Sequence, residues 1–219
     1  MAPDQPSDTG SSYRIELIRK AIHLTSLSIP VIYYFVSRTT ALVVLIPIAV
    51  GFLSIDVARL YHPAIEEWFH TTFGWLLRRH EADKQKKRLN GATYILIAAA
   101  ICVALFPKFI VIASFSILII SDATAALVGK RFGKRRFLGK TLEGSLAFLA
   151  SALVVIAATP KLGYQPGEYL IQAAAAMVGT IVEALPIEID DNLSIPLSIG
   201  LVMWVGYAVA YPMMDVFGF

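Results

Sequence analysis

The sequence predicts an all-α, polytopic integral membrane protein with about seven transmembrane helices and one cytoplasmic interfacial helix. Of its 219 residues, 57% are hydrophobic and only 16% are charged, whereas a soluble domain carries about 25% charged residues. The apolar residues also form continuous blocks, close to the roughly 20 residues that a helix needs to cross a bilayer. These blocks lack the period-two alternation of barrel strands, so no strands are expected.

Seven blocks are candidate spans, and the sixth is the shortest. They run from Ala21 to Ser37, Thr39 to Ile55, Leu89 to Pro107, Phe109 to Gly129, Gly144 to Pro160, Tyr169 to Glu183 and Leu193 to Met214. Residues 1–12 are polar, without the basic start and apolar core of a signal peptide, and are expected to form a disordered tail. Residues 13–219 are then one membrane-embedded domain.

The basic residues predict the orientation. With the N-terminus in the cytoplasm, seven spans place all but three of the nineteen Lys and Arg residues on the cytoplasmic side. The exceptions are Arg38, Lys108 and Lys161. This bias follows the positive-inside rule and places the C-terminus on the opposite side. The net charge of +3 is therefore explained by topology, and nothing in the sequence requires nucleic acid.

One segment, residues 60–88, differs from the spans. Its apolar residues recur every three or four positions and are followed by the basic run RRHEADKQKKR. This pattern is typical of a helix that lies in the membrane interface beside anionic headgroups. The apolar positions are Ile65, Trp68, Phe69, Phe73, Leu76 and Leu77.

The loop between the fourth and fifth spans combines positive charge with glycine. Its charged residues are Lys130, Arg131, Lys134, Arg135, Arg136 and Lys140, interleaved with Gly129, Gly133, Gly139 and Gly144. Glycine lets backbone N–H groups approach a ligand, and a helix that begins near Thr141 adds further N–H donors. The flanking carboxylates Asp122 and Glu143 suit Mg²⁺. The loop predicts a nucleoside-triphosphate site; the alternative is a positive-inside loop without a ligand.

A P-loop is excluded for this segment. In GKRRFLGKT, residues 133–141, five residues separate the two glycines where the P-loop pattern requires four. No soluble strand precedes the segment either.

A second polar cluster lies between the sixth and seventh spans. It contains Glu183, Asp190, Asp191 and Asn192. Asp122 and Glu183 are embedded in apolar helix sequence, where a carboxylate needs a partner or a metal. A helix N-cap at Asp191 or Asn192, worth about 1 kcal/mol, would explain one residue and not the whole cluster. A metal or nucleotide role is therefore predicted.

Smaller features predict local contacts. Asn90 is expected to cap the third span, and Asp56 and Arg59 are expected to form an ion pair at a helix end. His23 follows Arg19 by one turn, so it could contact phosphate or be a structural histidine.

Four segments resemble the polyprenol/dolichol kinase, phytol kinase and CTP-dependent diacylglycerol kinase family. They are RKAIH, NGATY, SDATAALVGKRFGKRRFLGKTLEGS and VEALPIEIDDNLSIP, spread over roughly residues 14–200. The resemblance implies transfer of a phosphoryl group from CTP to the hydroxyl of a lipid alcohol, at the cytoplasmic face. The lipid stays open among polyprenol or dolichol, phytol and diacylglycerol, and CTP rather than ATP rests on the resemblance alone.

Carried over by position, the resemblance implies a set of site residues. Those expected to be catalytic are Asp122, Lys140 and Glu143. Those expected to bind nucleotide are Lys130, Gly133, Lys134, Arg135, Lys140, Gly144 and Asn192. Those expected to hold Mg²⁺ are Asp122, Glu183, Asp190 and Asp191. The expected partners are CTP, a lipid alcohol and the bilayer, and small residues in the sixth span permit a homodimer.

Two other functions compete with the kinase. A phosphatidate cytidylyltransferase should carry HGG followed by an Asp-Arg-x-Asp run, and the sequence has neither. A small transporter or scaffold should place acids in mid-span or on both faces. The predicted topology puts nearly all of them at cytoplasmic helix ends.

Overall fold

The structure, a computed structural model, describes residues 9–73 and 89–217. Within them the chain forms nine α-helices and one two-stranded hairpin. In chain order these are α1 (Thr9–Thr25), α2 (Ser28–Phe35), α3 (Arg38–Tyr61), α4 (Pro63–Phe73), α5 (Gly91–Leu105), α6 (Lys108–Phe132), β1 (Arg136–Phe137), β2 (Lys140–Thr141), α7 (Leu142–Ala158), α8 (Pro166–Ala184) and α9 (Asp191–Ala210). Residues 1–8 of the predicted tail, and Leu76, Leu77 and the basic run of the predicted interfacial helix, lie outside the described residues.

Helix α6 is the centre of the bundle. It is buried along most of its length, with Phe109, Phe115 and Leu118 fully enclosed. It packs most extensively on α7 and also contacts α1, α2, α5 and α9. Helix α3 lies at the periphery against α4 and α5, and leaves large apolar side chains such as Val43 and Phe52 exposed. Exposed apolar side chains on an outer helix fit a lipid environment.

In the part of the chain that the structure describes, three helices are long and apolar enough to cross a membrane, judged by length and composition. They are α3, α6 and α9. Two further apolar helices, α5 and α7, are shorter. The all-α architecture is therefore confirmed, whereas the full set of seven spans stays a prediction.

The first predicted span is not one continuous helix. A turn at Ser26 and Leu27 separates α1 from α2. Pro30 lies in the first turn of α2, and its ring would clash with the carbonyl of residue 26 in an uninterrupted helix. The predicted first span from Ala21 to Ser37 is therefore divided between two helices in the structure.

The predicted helix-end contacts are confirmed. Asn90 caps α5 by accepting a hydrogen bond from the Thr93 N–H at 3.0 Å. Arg59 pairs with Asp56, which is fully buried and also accepts from the Asn90 N–H at 2.7 Å. The Arg59 guanidinium lies 4.7 Å from the ring centre of Phe69. These contacts connect α3, α4 and α5.

The basic loop contains a hairpin that the sequence pattern did not predict. Arg136 pairs with Thr141 and Phe137 with Lys140, in antiparallel register. The turn is made by Leu138, at φ 51°, and Gly139. Strands of two residues are too short to show alternation, so the expectation of no strands failed here.

Candidate active site

The hairpin is attached to the end of α8. The Gly139 N–H donates to the carbonyl oxygen of Ala184 at 2.8 Å. A Cβ at position 139 would lie 3.1 Å from Pro186 Cβ and 3.2 Å from that same carbonyl oxygen. Glycine therefore allows the turn to lie this close to α8, and the next residue, Lys140, is brought to the junction of α8 and α9.

Lys140 bridges two carboxylates at this junction. Its Nζ lies 2.8 Å from Glu183 Oε1 and 2.8 Å from Asp191 Oδ2. Asp191 is in the first turn of α9, where the helix dipole favours a negative charge. Glu183 is in the last turn of α8, where the dipole opposes one, so the ammonium of Lys140 compensates it.

The pKa of Lys140 reflects these neighbours. Burial of the ammonium acts to lower the pKa. The negative charges of Asp191 and Glu183, with a further contribution from Asp122, outweigh burial, so the pKa is raised above its usual range. Lys140 is therefore a cation at neutral pH.

Asp122 is held from the other side by α1. The Lys20 Nζ lies 2.5 Å from Asp122 Oδ2, and His23 Nε2 lies 3.6 Å from the same oxygen. Lys20 and Asp122 are 4% and 5% exposed, respectively. The polar face of α1 thus points inward at the site, while Ile18 and Ile22 are exposed on its other side.

Sequence reasoning missed Lys20. It lies in the RKAIH segment, three residues before His23, so both side chains fall on one helical face. That spacing was a usable signal, although it does not identify a partner 102 residues away.

Glu143 is directed at the backbone of the basic loop. Its carboxylate accepts hydrogen bonds from the N–H groups of Lys134, at 3.0 Å, and Arg135, at 3.3 Å. These two bonds hold the chain between α6 and β1 against the start of α7. Glu143 therefore orders the loop in this structure, and its predicted catalytic role stays a prediction.

Asp190, rather than Asp191 or Asn192, caps α9. Its side chain accepts from the Asn192 N–H at 3.0 Å and from Asn192 Nδ2 at 2.8 Å. Helix α9 begins at Asp191, which places residue 190 at the N-cap. The buried Asn192 also lies 3.5 Å from the carbonyl oxygen of Gly91, so it links α9 to α5.

The other predicted nucleotide contacts lie around the hairpin. Lys130, Lys134 and Arg135 are exposed at its base, as is Gly133. Gly144 is buried, and a Cβ there would lie 3.0 Å from the carbonyl oxygen of Ala125. Its N–H lies 3.2 Å from Thr141 Oγ1, which caps α7, and the helix begins next to Thr141 as predicted. The close packing against α6 therefore explains why residue 144 is glycine, independently of any nucleotide contact.

Among the described residues, the predicted magnesium ligands are not grouped into a complete metal site. Within residues 9–73 and 89–217, no three His, Cys, Asp or Glu side chains are grouped closely enough to hold a metal ion. Lys20 contacts Asp122, and Asp190 serves as a helix cap. Glu183 and Asp191 do converge, and Glu183 Oε2 is buried with no hydrogen-bond partner among the described residues. Two carboxylates fit Mg²⁺ when phosphate oxygens supply further ligands.

Comparison with known proteins finds a relative that matches most of the chain. The chain is 34% identical over 189 residues to the Uncharacterized protein RP860 of Rickettsia prowazekii (strain Madrid E), covering 85% of this chain and 92% of that protein. The chain belongs to the same family as this rickettsial protein.

A more distant relative has a named activity. The chain is 27% identical over 202 residues to CTP-dependent diacylglycerol kinase 1 of Schizosaccharomyces pombe, covering 84% of this chain and 90% of the relative. No family model matches the chain, and no solved structure matches it.

Proposed function

We propose that the protein is a CTP-dependent lipid kinase that transfers the γ-phosphoryl group of CTP to the hydroxyl of a membrane lipid alcohol. The observation that carries the proposal is the bridge from Lys140 to Glu183 and Asp191. It places a cation and two carboxylates at one end of the bundle, beside the basic loop. The similarity to a CTP-dependent diacylglycerol kinase supports the same reaction and makes diacylglycerol the first lipid to test. Polyprenol or dolichol and phytol are the other candidates.

The carboxylates at the junction of α8 and α9 would have a different role from the carboxylate in α6. The pair Glu183 and Asp191, with Lys140, would serve the triphosphate end, because phosphate needs cations and a metal. Asp122 lies in the apolar helix α6 and would contact the lipid hydroxyl. This division places the nucleotide on the loop side and the lipid on the helix side.

The reaction then needs mainly positioning and charge. The lipid hydroxyl oxygen forms a bond to the γ-phosphorus, the bond from that phosphorus to the β–γ bridging oxygen breaks, and CDP leaves. Asp122 orients the hydroxyl and receives its proton. Lys140, with the exposed Lys130, Lys134 and Arg135, would stabilise the negative charge of the phosphates. Bound Mg²⁺ would neutralise further charge on the phosphate oxygens, held by Glu183 and Asp191.

The membrane orientation is part of the proposal. The excess of basic residues in the sequence around the site supports an orientation in which that end, and the N-terminus, would face the cytoplasm, where CTP is available. The lipid alcohol would remain in the bilayer and present its hydroxyl at the interface.

One assay tests the proposal. Purified protein in nanodiscs with Mg²⁺ receives γ-³²P-labelled CTP or ATP, together with diacylglycerol, polyprenol or phytol. We expect label to pass from CTP into one lipid class. Release of pyrophosphate from phosphatidate and CTP, with no labelled lipid, would instead identify a cytidylyltransferase. No reaction in either assay would reject both enzymes.

A matched pair of variants separates the site from general damage. Lys140→Met and Lys108→Met remove the same charge from opposite ends of the bundle, because α6 begins at Lys108 and leads into the basic loop. We expect Lys140→Met to raise the KM for CTP about tenfold, and Lys108→Met to leave it unchanged. Equal effects would argue against a phosphate-binding role for Lys140.

A further inference from the structure

Glu183 differs from the other fully enclosed glutamate of the described chain. Glu168, at the start of α8, accepts hydrogen bonds from three backbone N–H groups of the preceding loop and from the Tyr207 hydroxyl, all at 2.9 Å. Both of its oxygens are satisfied. Glu183 has only the contact of Oε1 with Lys140, and its buried Oε2 has no hydrogen-bond partner in the described part of the chain. An unsatisfied buried carboxylate oxygen is costly and needs an explanation.

The Lys140 ammonium occupies the point at which two carboxylates converge. That point, within 2.8 Å of both Glu183 Oε1 and Asp191 Oδ2, is where a divalent cation would have to bind to be shared by them. A single ammonium leaves Glu183 Oε2 unused. A divalent cation carries twice the charge and can engage further oxygens.

The side chains of Glu183 and Lys140 differ in freedom to move. The Glu183 side chain is 4% exposed at a helix end, whereas that of Lys140 is 37% exposed. Lys140 also has a flexible four-carbon stem on a hairpin whose backbone is fixed at Gly139. The ammonium can therefore leave the carboxylates without any movement of the helices.

We propose that Lys140 and a divalent cation compete for Glu183 and Asp191, so that cation binding releases Lys140 to contact the triphosphate. Without the cation, Lys140 keeps the two carboxylates paired. With it, the same ammonium becomes available to phosphate. That the released ammonium contacts a triphosphate rests on the proposed function. The competition for the two carboxylates does not depend on it.

Loss of the Lys140 charge should change cation affinity and nucleotide affinity in opposite directions. Removal of the Lys140 charge should strengthen cation binding, because two carboxylates lose their competitor, and should weaken nucleotide binding. If the bridge were only structural, its removal would separate Glu183 from Asp191 and weaken both. Lys140→Arg should weaken cation binding, because a guanidinium fork holds carboxylates more firmly than an ammonium.

The test is a Mn²⁺ titration followed by electron paramagnetic resonance, with full-length protein in nanodiscs of zwitterionic lipid and no nucleotide. We expect Lys140→Met to bind Mn²⁺ about tenfold more tightly than wild type, and Lys140→Arg to bind it more weakly. Lys134→Met is the matched control, since it removes one exposed charge from the same loop, and its Mn²⁺ affinity should equal that of wild type.

Several outcomes would overturn the competition. They are unchanged or weaker Mn²⁺ binding by Lys140→Met, equal tightening by Lys134→Met, and no Mn²⁺ binding by any of these proteins. If Lys140→Met fails to fold, Lys140→Arg decides: affinity equal to or above that of wild type overturns the proposal. A negative kinase assay with opposite Mn²⁺ shifts would reject the kinase and keep the competition.

Discussion

Lys20 and Asp122 form a buried ion pair between α1 and α6, with Nζ 2.5 Å from Oδ2 and neither residue more than 5% exposed. The pair joins the N-terminal helix to the helix that carries the predicted catalytic carboxylate. Removal of one member of a buried pair is destabilising, because the other charge stays buried without that partner.

The Lys20–Asp122 pair predicts strong coupling in protein stability. Lys20→Met and Asp122→Asn should each lower the free energy of unfolding by about 3–5 kcal/mol, because each removes the ion-pair partner of a buried charge. The double variant should lose much less than the sum. Thermal unfolding in the same detergent for all four proteins measures the coupling. Additive losses would show that the two charges do not depend on each other.

The same double variant separates folding from chemistry. Lys20→Met/Asp122→Asn should be close to wild type in stability, yet turnover should fall at least about 100-fold, because no carboxylate remains to orient the lipid hydroxyl. Lipid phosphorylation at saturating CTP, with a size-exclusion profile of each sample, measures this. Turnover near that of wild type would remove Asp122 from the reaction.

Local sequence rules predicted most helices and several of their ends. Apolar blocks located the helical bundle, and short-range chemistry predicted the Asn90 cap, the Thr141 start of α7 and the Asp56–Arg59 pair. These features depend on residues at most four positions apart. Their spacing along the chain is therefore enough to predict them.

Features that depend on distant partners could not be predicted in the same way. Sequence reasoning assigned Lys140 to phosphate, and the structure places its ammonium on Glu183 and Asp191, 43 and 51 residues away. Spacing within a helix cannot show such contacts. The exception is the break before α2, where Pro30 is a local signal inside a long apolar block.

The hydrogen bonds that Glu143 accepts from the basic loop should protect the loop from protease. Its carboxylate holds the N–H groups of Lys134 and Arg135, and trypsin cleaves after both residues. Glu143→Ala should therefore speed cleavage at these bonds about tenfold, since a loop without its hydrogen bonds opens more often. Gel analysis and mass spectrometry of timed digests locate the cuts.

The control for this digest is Glu188→Ala. Glu188 is an exposed acid of the neighbouring loop between α8 and α9, so its removal changes charge at the same end of the protein. We expect wild-type cleavage rates. If both variants are cleaved equally fast, general charge rather than the Glu143 hydrogen bonds controls the loop.

The close approach of Gly139 to the end of α8 predicts that activity depends on the position of the hairpin. A methyl group at residue 139 would lie 3.1 Å from Pro186 Cβ and 3.2 Å from the Ala184 carbonyl oxygen, so Gly139→Ala should push the turn away from α8. Lys140 would move with it, and kcat/KM for CTP should fall about tenfold or more. Gly163→Ala is the control, because its Cβ would meet its nearest atom, Glu168 Oε1, at an ordinary 3.4 Å. An equal loss in both variants would mean that contact between the turn and α8 does not determine how Lys140 is placed.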